Sequence, residues 1–300
     1  MQIGMIGLGR MGMNMARRLL KGKHEVIVYN RSKEKIQEMA KEGAVPADSI
    51  ADLVQKLSPQ RVVWVMLPAG AATEDNLAKA ATYLSEGDTL VDGGNSYYKD
   101  DIRREKVFAD LGISYMDAGI SGGIWGLQIG YCTMIGGKKK DFEYIKPLLK
   151  TLAPKNGFLF CGPAGAGHYV KMVHNGVEYA MMEAYGEGFE LLQASPYNDS
   201  LNFKDVAHLW NQGSVIRSWL LELLESAFDK DPKLEKIKGY VEDSGEGRWT
   251  VHQAVESGVP ATAIAHSLFK RFQSRNPDLF SDKILAALRN EFGGHNIQKK

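Results

Sequence analysis

A chain of 300 residues with 44% hydrophobic and 24% charged side chains is long enough for two domains with separate cores, and its composition excludes a disordered or fibrous protein. The 37 basic and 36 acidic side chains leave a net charge of +1, so no global field draws the chain to nucleic acid or an anionic bilayer. Its apolar runs are too short to span a membrane, and its two cysteines, Cys132 and Cys161, lack metal-site or disulfide-framework spacing.

Residues Gln2-Ile3-Gly4-Met5-Ile6 form an apolar run that opens the chain without the basic, apolar and cleavage regions of a targeting signal. With the cysteine usage, this gives the expectation of a cytoplasmic protein. The run leads into Gly7-Leu8-Gly9-Arg10-Met11-Gly12, followed by an Ala/Leu/Arg-rich helical segment. Strand, glycines and helix in this order give the G-x-G-x-x-G spacing its meaning as a dinucleotide site. The first glycine permits the tight turn, the second lets a pyrophosphate approach the backbone, and the third lets helix and strand pack closely. The helix N-terminus adds amides and partial positive charge. The next strand, His24-Glu25-Val26-Ile27-Val28-Tyr29, ends at Asn30-Arg31-Ser32. An acidic residue here would bind a ribose 2′-hydroxyl, whereas neutral Asn30 and cationic Arg31 predict preference for the 2′-phosphate of NADP, with NAD as the alternative.

A helical segment at 33–42, the strand Arg61-Val62-Val63-Trp64-Val65-Met66-Leu67, a helix at 73–85 and the strand Thr89-Leu90-Val91-Asp92 continue the alternation. That order predicts a parallel, doubly wound sheet with helices on both faces. Ligands bind outside the carboxyl ends of such strands, so the loop beginning at Leu67 is a predicted wall of the nicotinamide pocket. Two further carboxyl-end loops, Asp92-Gly93-Gly94-Asn95-Ser96 and Ala118-Gly119-Ile120-Ser121-Gly122-Gly123, set polar side chains beside paired glycines, which suits a polyhydroxyl ligand. The strand Tyr131-Cys132-Thr133-Met134-Ile135-Gly136-Gly137 follows, and Lys138-Lys139-Lys140 reads as a solvated turn or helix start. Beyond about residue 165 the signal is helical, which predicts a dinucleotide-binding domain at 1–162 and a helical domain at 163–300. Helices are expected through 193 and near 203–212, 214–227, 249–257, 260–274 and 281–291.

The first of these helices carries Lys171, Asn175 and Glu178 at i, i+4 and i+7, placing an amine, an amide and a carboxylate on one face. Tyr169, Val170, Met172, Val173, Val177, Tyr179, Met181 and Met182 flank them and predict burial of that stretch.

Together these motifs resemble the decarboxylating 6-phosphogluconate dehydrogenases of the β-hydroxyacid dehydrogenase superfamily, in a short form. The resemblance covers essentially the whole chain. It is most specific over Gly167-His168-Tyr169-Val170-Lys171-Met172-Val173-His174-Asn175-Gly176-Val177-Glu178-Tyr179. It implies an α/β Rossmann-type N-terminal domain followed by an all-α domain for substrate binding and dimerisation. It also implies oxidative decarboxylation of 6-phospho-D-gluconate to D-ribulose 5-phosphate in the pentose phosphate pathway and gluconate utilisation, with NADP or NAD and no metal. Lys171 would be the general base and later acid, and Glu178 the acid that protonates the product carbon. Asn175, also a catalytic residue, and Asn95, also a cofactor contact, would hold substrate together with Ser121, Gly122, Gly123, His174 and Tyr179. A C-terminal segment matching Arg289-Asn290-Glu291-Phe292-Gly293-Gly294-His295 would reach the neighbour's site in a homodimer or higher homo-oligomer, with Arg289 and His295 clamping substrate.

One departure stands out. Where longer members carry a Lys and a Thr that help bind the phosphate, this chain reads Ser244-Gly245-Glu246-Gly247-Arg248-Trp249-Thr250, so that either Arg248 compensates or the phosphate is held mainly by Tyr179 together with Arg289 and other cations. Two other readings stay open. Non-decarboxylating relatives acting on 3-hydroxyisobutyrate or tartronate semialdehyde share the lysine and asparagine but generally lack the Glu178-Tyr179 pair. A binding protein that kept the nucleotide fold without chemistry would not need Lys171 and Glu178.

Overall fold

The computed structural model describes residues 1–276, 278–293, 296 and 298. Two compact units divide the chain, Met1–His174 and Asn175–Lys300. In the first, strand β1 (Gln2–Ile6), helix α1 (Arg10–Lys21), β2 (Glu25–Tyr29), α2 (Lys33–Lys41), β3 (Val45–Pro46), α3 (Ile50–Gln55), β4 (Val62–Val65), α4 (Ala71–Ala81), β5 (Thr89–Asp92) and α5 (Tyr98–Ala109) alternate. They are followed by β6 (Ser114–Ser121), α6 (Gly126–Ile129), β7 (Cys132–Gly136), α7 (Lys139–Leu152) and β8 (Phe158–Gly162). The strands form one sheet in the order β3-β2-β1-β4-β5-β6-β7-β8.

Both faces of this sheet are covered, which is why its strands read as continuous apolar runs rather than alternating ones. On one face Ile3, Met5, Val26, Val28, Trp64 and Met116 pack against Met15 and Leu19 of α1, Met39 of α2 and Leu148 and Leu149 of α7. On the other, Ile6, Ile27, Val63, Val65, Leu90 and Tyr115 meet Leu53 of α3, Leu77 and Ala80 of α4 and Phe108 of α5. Each fully buried aliphatic side chain contributes about 1.5–3 kcal/mol, so two-sided burial outweighs local propensity in fixing these short strands.

The expected sheet differs from the observed one in two respects. Strands β7 and β8 do not join the parallel set, because β7 pairs antiparallel with β6, and β8 runs parallel to β7. For the same reason Ala118, Gly119, Ile120 and Ser121 are not a loop. Strand β6 continues past the end of β5 to pair Ala118 with Ile135 and Ser121 with Cys132, and the chain turns only at Gly122 and Gly123, both at positive φ. Lys138 caps α7 and Lys139 begins it, as the basic run suggested.

Helix α8 (Ala166–Gln193) is 28 residues long and holds the division between the two units. The second unit continues with α9 (Phe203–Trp210), α10 (Trp219–Lys230), α11 (Glu246–Ser257), α12 (Thr262–Ser274) and α13 (Phe280–Gly293). Its aromatic core joins Phe189 of α8 to Phe203 and Ala207 of α9 and Leu221 and Phe228 of α10. Helix α10 starts later than the expected 214 because the hydroxyl of Ser218 accepts the Leu221 amide, an N-cap that apolar spacing does not reveal. No helix among the described residues is long and apolar enough to cross a membrane.

Candidate active site

The glycine loop between β1 and α1 has the form a pyrophosphate needs. Gly7 has a φ of +98°, and a Cβ there would collide with the Met66 carbonyl, while one on Gly12 would collide with the carbonyl of Gly7. A Cβ on Gly9 would instead enter open space, so the second glycine is the one that keeps a cradle clear. Gly9 caps α1 without a side-chain bond, and the first turn, with Arg10 and Met11, has no acidic residue to compete with an anion. These residues fit a bound dinucleotide.

At the end of β2, the Asn30 side-chain oxygen accepts the amide of Leu8 at 3.0 Å, so Asn30 holds the glycine loop in shape. Arg31 is exposed. The Ser32 hydroxyl donates to Glu34 Oε2 at 2.7 Å, which brings a carboxylate that sequence reading passed over next to the predicted 2′-phosphate ligands. Leu67 lies between the first two carboxyl-end loops, with its side chain beside Gly7 and its carbonyl beside Gly94.

The first unit also holds Asn95, Ser121, Lys171 and His174. Asn95 is exposed at the tip of the 93–96 loop, and Ser121 Oγ lies 3.4 Å from His174 Nε2. Lys171 is only 7% exposed. Its Cβ sits directly on Gly119, where any side chain would collide with it, so β6 and the first turns of α8 meet almost backbone to backbone. Gly167 makes the same approach against the Met134 carbonyl and the Gly136 amide.

A buried polar network surrounds the start of α8. Asp117 on β6 accepts the amides of Gly165 at 2.7 Å and His168 at 2.8 Å, capping the helix from the sheet. His168 Nδ1 lies 2.7 Å from Asp101 Oδ2, and its Nε2 lies 2.8 Å from the carbonyl oxygen of Gly94. Tyr115 donates to Asp101 at 2.7 Å, and Arg104 donates to Asp92 at 3.0 Å and also engages Glu74. Asp92 accepts the Gly94 amide and the Ser96 hydroxyl, which fixes the 93–96 loop. Burial opposes a charge on His168, but Asp101, Asp92 and Asp117 outweigh it and raise its pKa to about 10. Burial lifts Asp117 to about 6 against the lowering effect of His168.

In the second unit, Asn175 is buried, Glu178 is half-buried, and Tyr179 is buried. All three sit on α8, one and two turns beyond Lys171. The Tyr179 hydroxyl accepts the Ser244 amide at 3.1 Å, and the Arg271 guanidinium lies 3.5 Å from the Tyr179 ring centroid. Arg248 is already bidentate to Asp243, at 2.6 and 3.0 Å, and Arg275 shares that carboxylate. Arg271, which sequence reading missed, is therefore the cation that accompanies Tyr179, and no local spacing in α12 announces it. Arg289 is exposed on α13, and His295 lies outside the described residues.

The apolar side chains flanking Lys171 divide against expectation. Met172 and Tyr179 are buried, but Val170, Val173, Val177, Met181 and Met182 are 37–46% exposed. Within the first unit Lys171 is received by Gly119, and within the second Tyr179 is received by Ser244 and Arg271.

The pH dependence of stability follows from His168. Its folded pKa of about 10 exceeds the ordinary 6.5, so its stabilisation is complete below about pH 6.5 and is lost as pH rises toward 10. Asp117, raised from 3.8 to about 6, has the same sign and has lost its contribution by about pH 6. Thermal melts at constant ionic strength are expected to show Tm falling between pH 7 and 10, with that slope much reduced in His168→Gln; a flat wild-type Tm over this range would contradict the assignment.

A model of the NAD binding domain of 6-phosphogluconate dehydrogenase matches residues 2–162, and a model of the C-terminal domain of 6-phosphogluconate dehydrogenase matches residues 167–287. The chain is 44% identical over 300 residues, the full length of both, to YqeC of Bacillus subtilis (strain 168), provisionally named a 6-phosphogluconate dehydrogenase. It is 43% identical, over 100% of this chain and 99% of the relative, to the NAD(+)-dependent, decarboxylating 6-phosphogluconate dehydrogenase of Haloferax volcanii. Against longer relatives it spans 61% of their length. Among solved structures, that of Plasmodium falciparum 6-phosphogluconate dehydrogenase, studied with NADP+ and with 6-phosphogluconate, matches with a TM-score of 0.84 and 27% identity, covering 100% of this chain and 66% of that one. With both of its halves matched and full-length relatives above 40% identity, the chain belongs to the 6-phosphogluconate dehydrogenase family.

Proposed function

We propose that this chain oxidises and decarboxylates 6-phospho-D-gluconate to D-ribulose 5-phosphate and CO2, in the cytoplasm and within the pentose phosphate pathway. The observation that carries this reading is the buried amine of Lys171 followed on one continuous helix by Asn175 and Glu178, in a chain of this family. NADP or NAD, held by the 7–12 glycine loop and the end of β2, supplies the hydride acceptor.

Lys171 takes the proton of the substrate 3-hydroxyl, a role that requires the neutral amine and hence a site that disfavours its charge. The resulting 3-keto acid breaks its C1–C2 bond, CO2 leaves, and the electron pair moves onto the carbonyl oxygen. Protonated Lys171 donates to that oxygen and gives the enediol. Glu178, in its protonated form, then delivers a proton to the former C2, while the enediol hydroxyl returns its proton to Lys171 and the ketone forms. Asn175, Asn95, His174 and the 121–123 loop orient the polyol, and Tyr179 with Arg271 offers the phosphate a hydroxyl and a cation.

Incubation with 6-phosphogluconate and NADP or NAD should produce reduced nicotinamide and CO2 in equal amounts. Reduction without CO2 would favour a non-decarboxylating relative, and neither product would favour a binding protein. Glu178→Gln is expected to lower product formation by about 10²–10⁴-fold, the usual worth of a general acid, and wild-type rates in that variant would remove Glu178 from the mechanism.

The cofactor choice turns on Arg31 and Glu34. Arg31 supports NADP, whereas the Ser32–Glu34 pair, which holds a carboxylate just after β2 of the kind that accepts from a ribose 2′-hydroxyl, supports the NAD alternative, as does the NAD(+)-dependent Haloferax relative. Arg31→Ala should lower kcat/KM for NADP relative to NAD, and Glu34→Ala should shift the ratio the other way; a ratio unmoved by both would discard the assignment.

A homodimer or larger homo-oligomer, with Arg289 and His295 completing the neighbour's site, accompanies this function. The exposed row Val170, Val173, Val177 and Met181, at helical spacing on α8, supports it, since contiguous apolar surface of this kind is usually covered. Sedimentation velocity should give a dimer or a larger assembly, and a monomer at micromolar concentration would refute it.

A further inference from the structure

Asp92, Asp101 and His168 bring their ligand atoms within 4.8 Å of one another, a set that would suit a divalent cation. The positive charge there is already supplied by Arg104, whose guanidinium lies 3.0 Å from Asp92 and 3.5 Å from Asp101. The cluster is better explained by the protonation state that its geometry imposes on His168.

The carbonyl of Gly94, against Nε2, can only accept a hydrogen bond. Asp101, against Nδ1, accepts the Tyr115 hydroxyl on its other oxygen and has the Arg104 guanidinium beside it, so every donor around it is already pointed at the carboxylate and it too serves as an acceptor. Both ring nitrogens must therefore donate, and only the imidazolium does so. The cation faces Asp101 and Arg104 from α5, Asp92 from β5, Tyr115 and Asp117 from β6 and, beyond Arg104, Glu74 from α4. Lys171 follows on the same helix at i+3, with Cβ atoms about 5–6 Å apart by helix geometry.

We propose that His168 is a positioning residue, a permanent imidazolium that ties the 93–96 loop to the first turn of α8 and keeps a positive charge one turn before Lys171. The tether fixes Asn95 and Lys171 in one frame. The charge disfavours a second cation nearby, so Lys171 sheds its proton at a lower pH than it otherwise would. This second consequence rests on the reading of Lys171 as the base.

Two measurements test the proposal separately. In protein labelled with 15N-histidine, the His168 resonances, assigned by their loss in His168→Gln, should show both nitrogens protonated throughout pH 6–9. A neutral ring at pH 7.5 would overturn the proposal whether or not the enzyme turns over 6-phosphogluconate. In kinetics, His168→Gln, which is uncharged and can satisfy only one of the two acceptors, should lose about 10–100-fold in kcat with KM for the nicotinamide cofactor within about twofold of wild type. The acid limb of its kcat/KM profile should move up by about one pH unit. Wild-type kcat with an unmoved acid limb would overturn the positioning role. Should His168→Gln fail to fold, Asp101→Asn serves in its place: its His168 should titrate within pH 6–9 and its acid limb should rise, whereas a ring still fully protonated at pH 9 with an unmoved limb would refute the tether. Absence of turnover in the wild type would remove the reading of Lys171 and leave the NMR result to decide the imidazolium.

Discussion

The cap that Asp117 places on α8 is the interaction on which the candidate site depends. A carboxylate buried in a sheet is costly unless its oxygens are satisfied, and here each oxygen takes one amide from the opening of α8, where the helix would otherwise leave N–H groups without partners. Two unfavourable features cancel, and the result fixes where α8 begins and in what rotation. Lys171 lies one turn from that point, so its placement over Gly119 follows from the cap. A shift of one residue in the pairing of β6 would turn Asp117 to the other face of the sheet and leave both the carboxylate and the helix end unsatisfied.

Much of the first unit was legible in the sequence because burial on both sides writes long apolar runs, and because the glycine spacing sits between a strand and a helix. The two-residue strand β3 carries no such signal. Nor did the sequence disclose that β6 outlasts β5: Gly119 reads as a turn residue, and only the position of Lys171 above it explains a glycine within a strand. The reversal of β7 arises from the same extension, since a strand that projects past its parallel neighbour can be met by the returning chain from the opposite direction.

For the site, what was legible was local. Lys171, Asn175 and Glu178 declare themselves by helical spacing, and the 93–96 and 121–123 loops by their glycines. Asp101, Arg104, Asp117 and His168 come from different elements, and no spacing within any one of them records that they will meet. His168 stood within the most specific motif of the chain, yet only its contacts with Asp101 and Gly94 reveal why an imidazole is needed there. Arg271 was hidden in the same way, by a ring stacked across two helices of the second unit. The outward turn of Val170, Val173 and Val177 could not be anticipated from hydropathy, because the contacts that bury Lys171 against Gly119 and Tyr179 against Ser244 and Arg271 are not recorded in the helix's own spacing.

The seat of α8 on glycines also narrows the ways in which this chain can change. Gly119, Gly136 and Gly167 lie where helix and sheet come so close that even a methyl group has no room, as each would strike a backbone atom, Asp117 or the stem of Lys171. These positions have a mutational alphabet of one letter, and a compensating exchange on the facing element is closed to them, because much of what they face is main chain. Room for change is therefore left to the rims, such as Arg31 after β2, Asn95 at the tip of its loop and Ser244 before α11, which are exposed, while the floor beneath Lys171 has none.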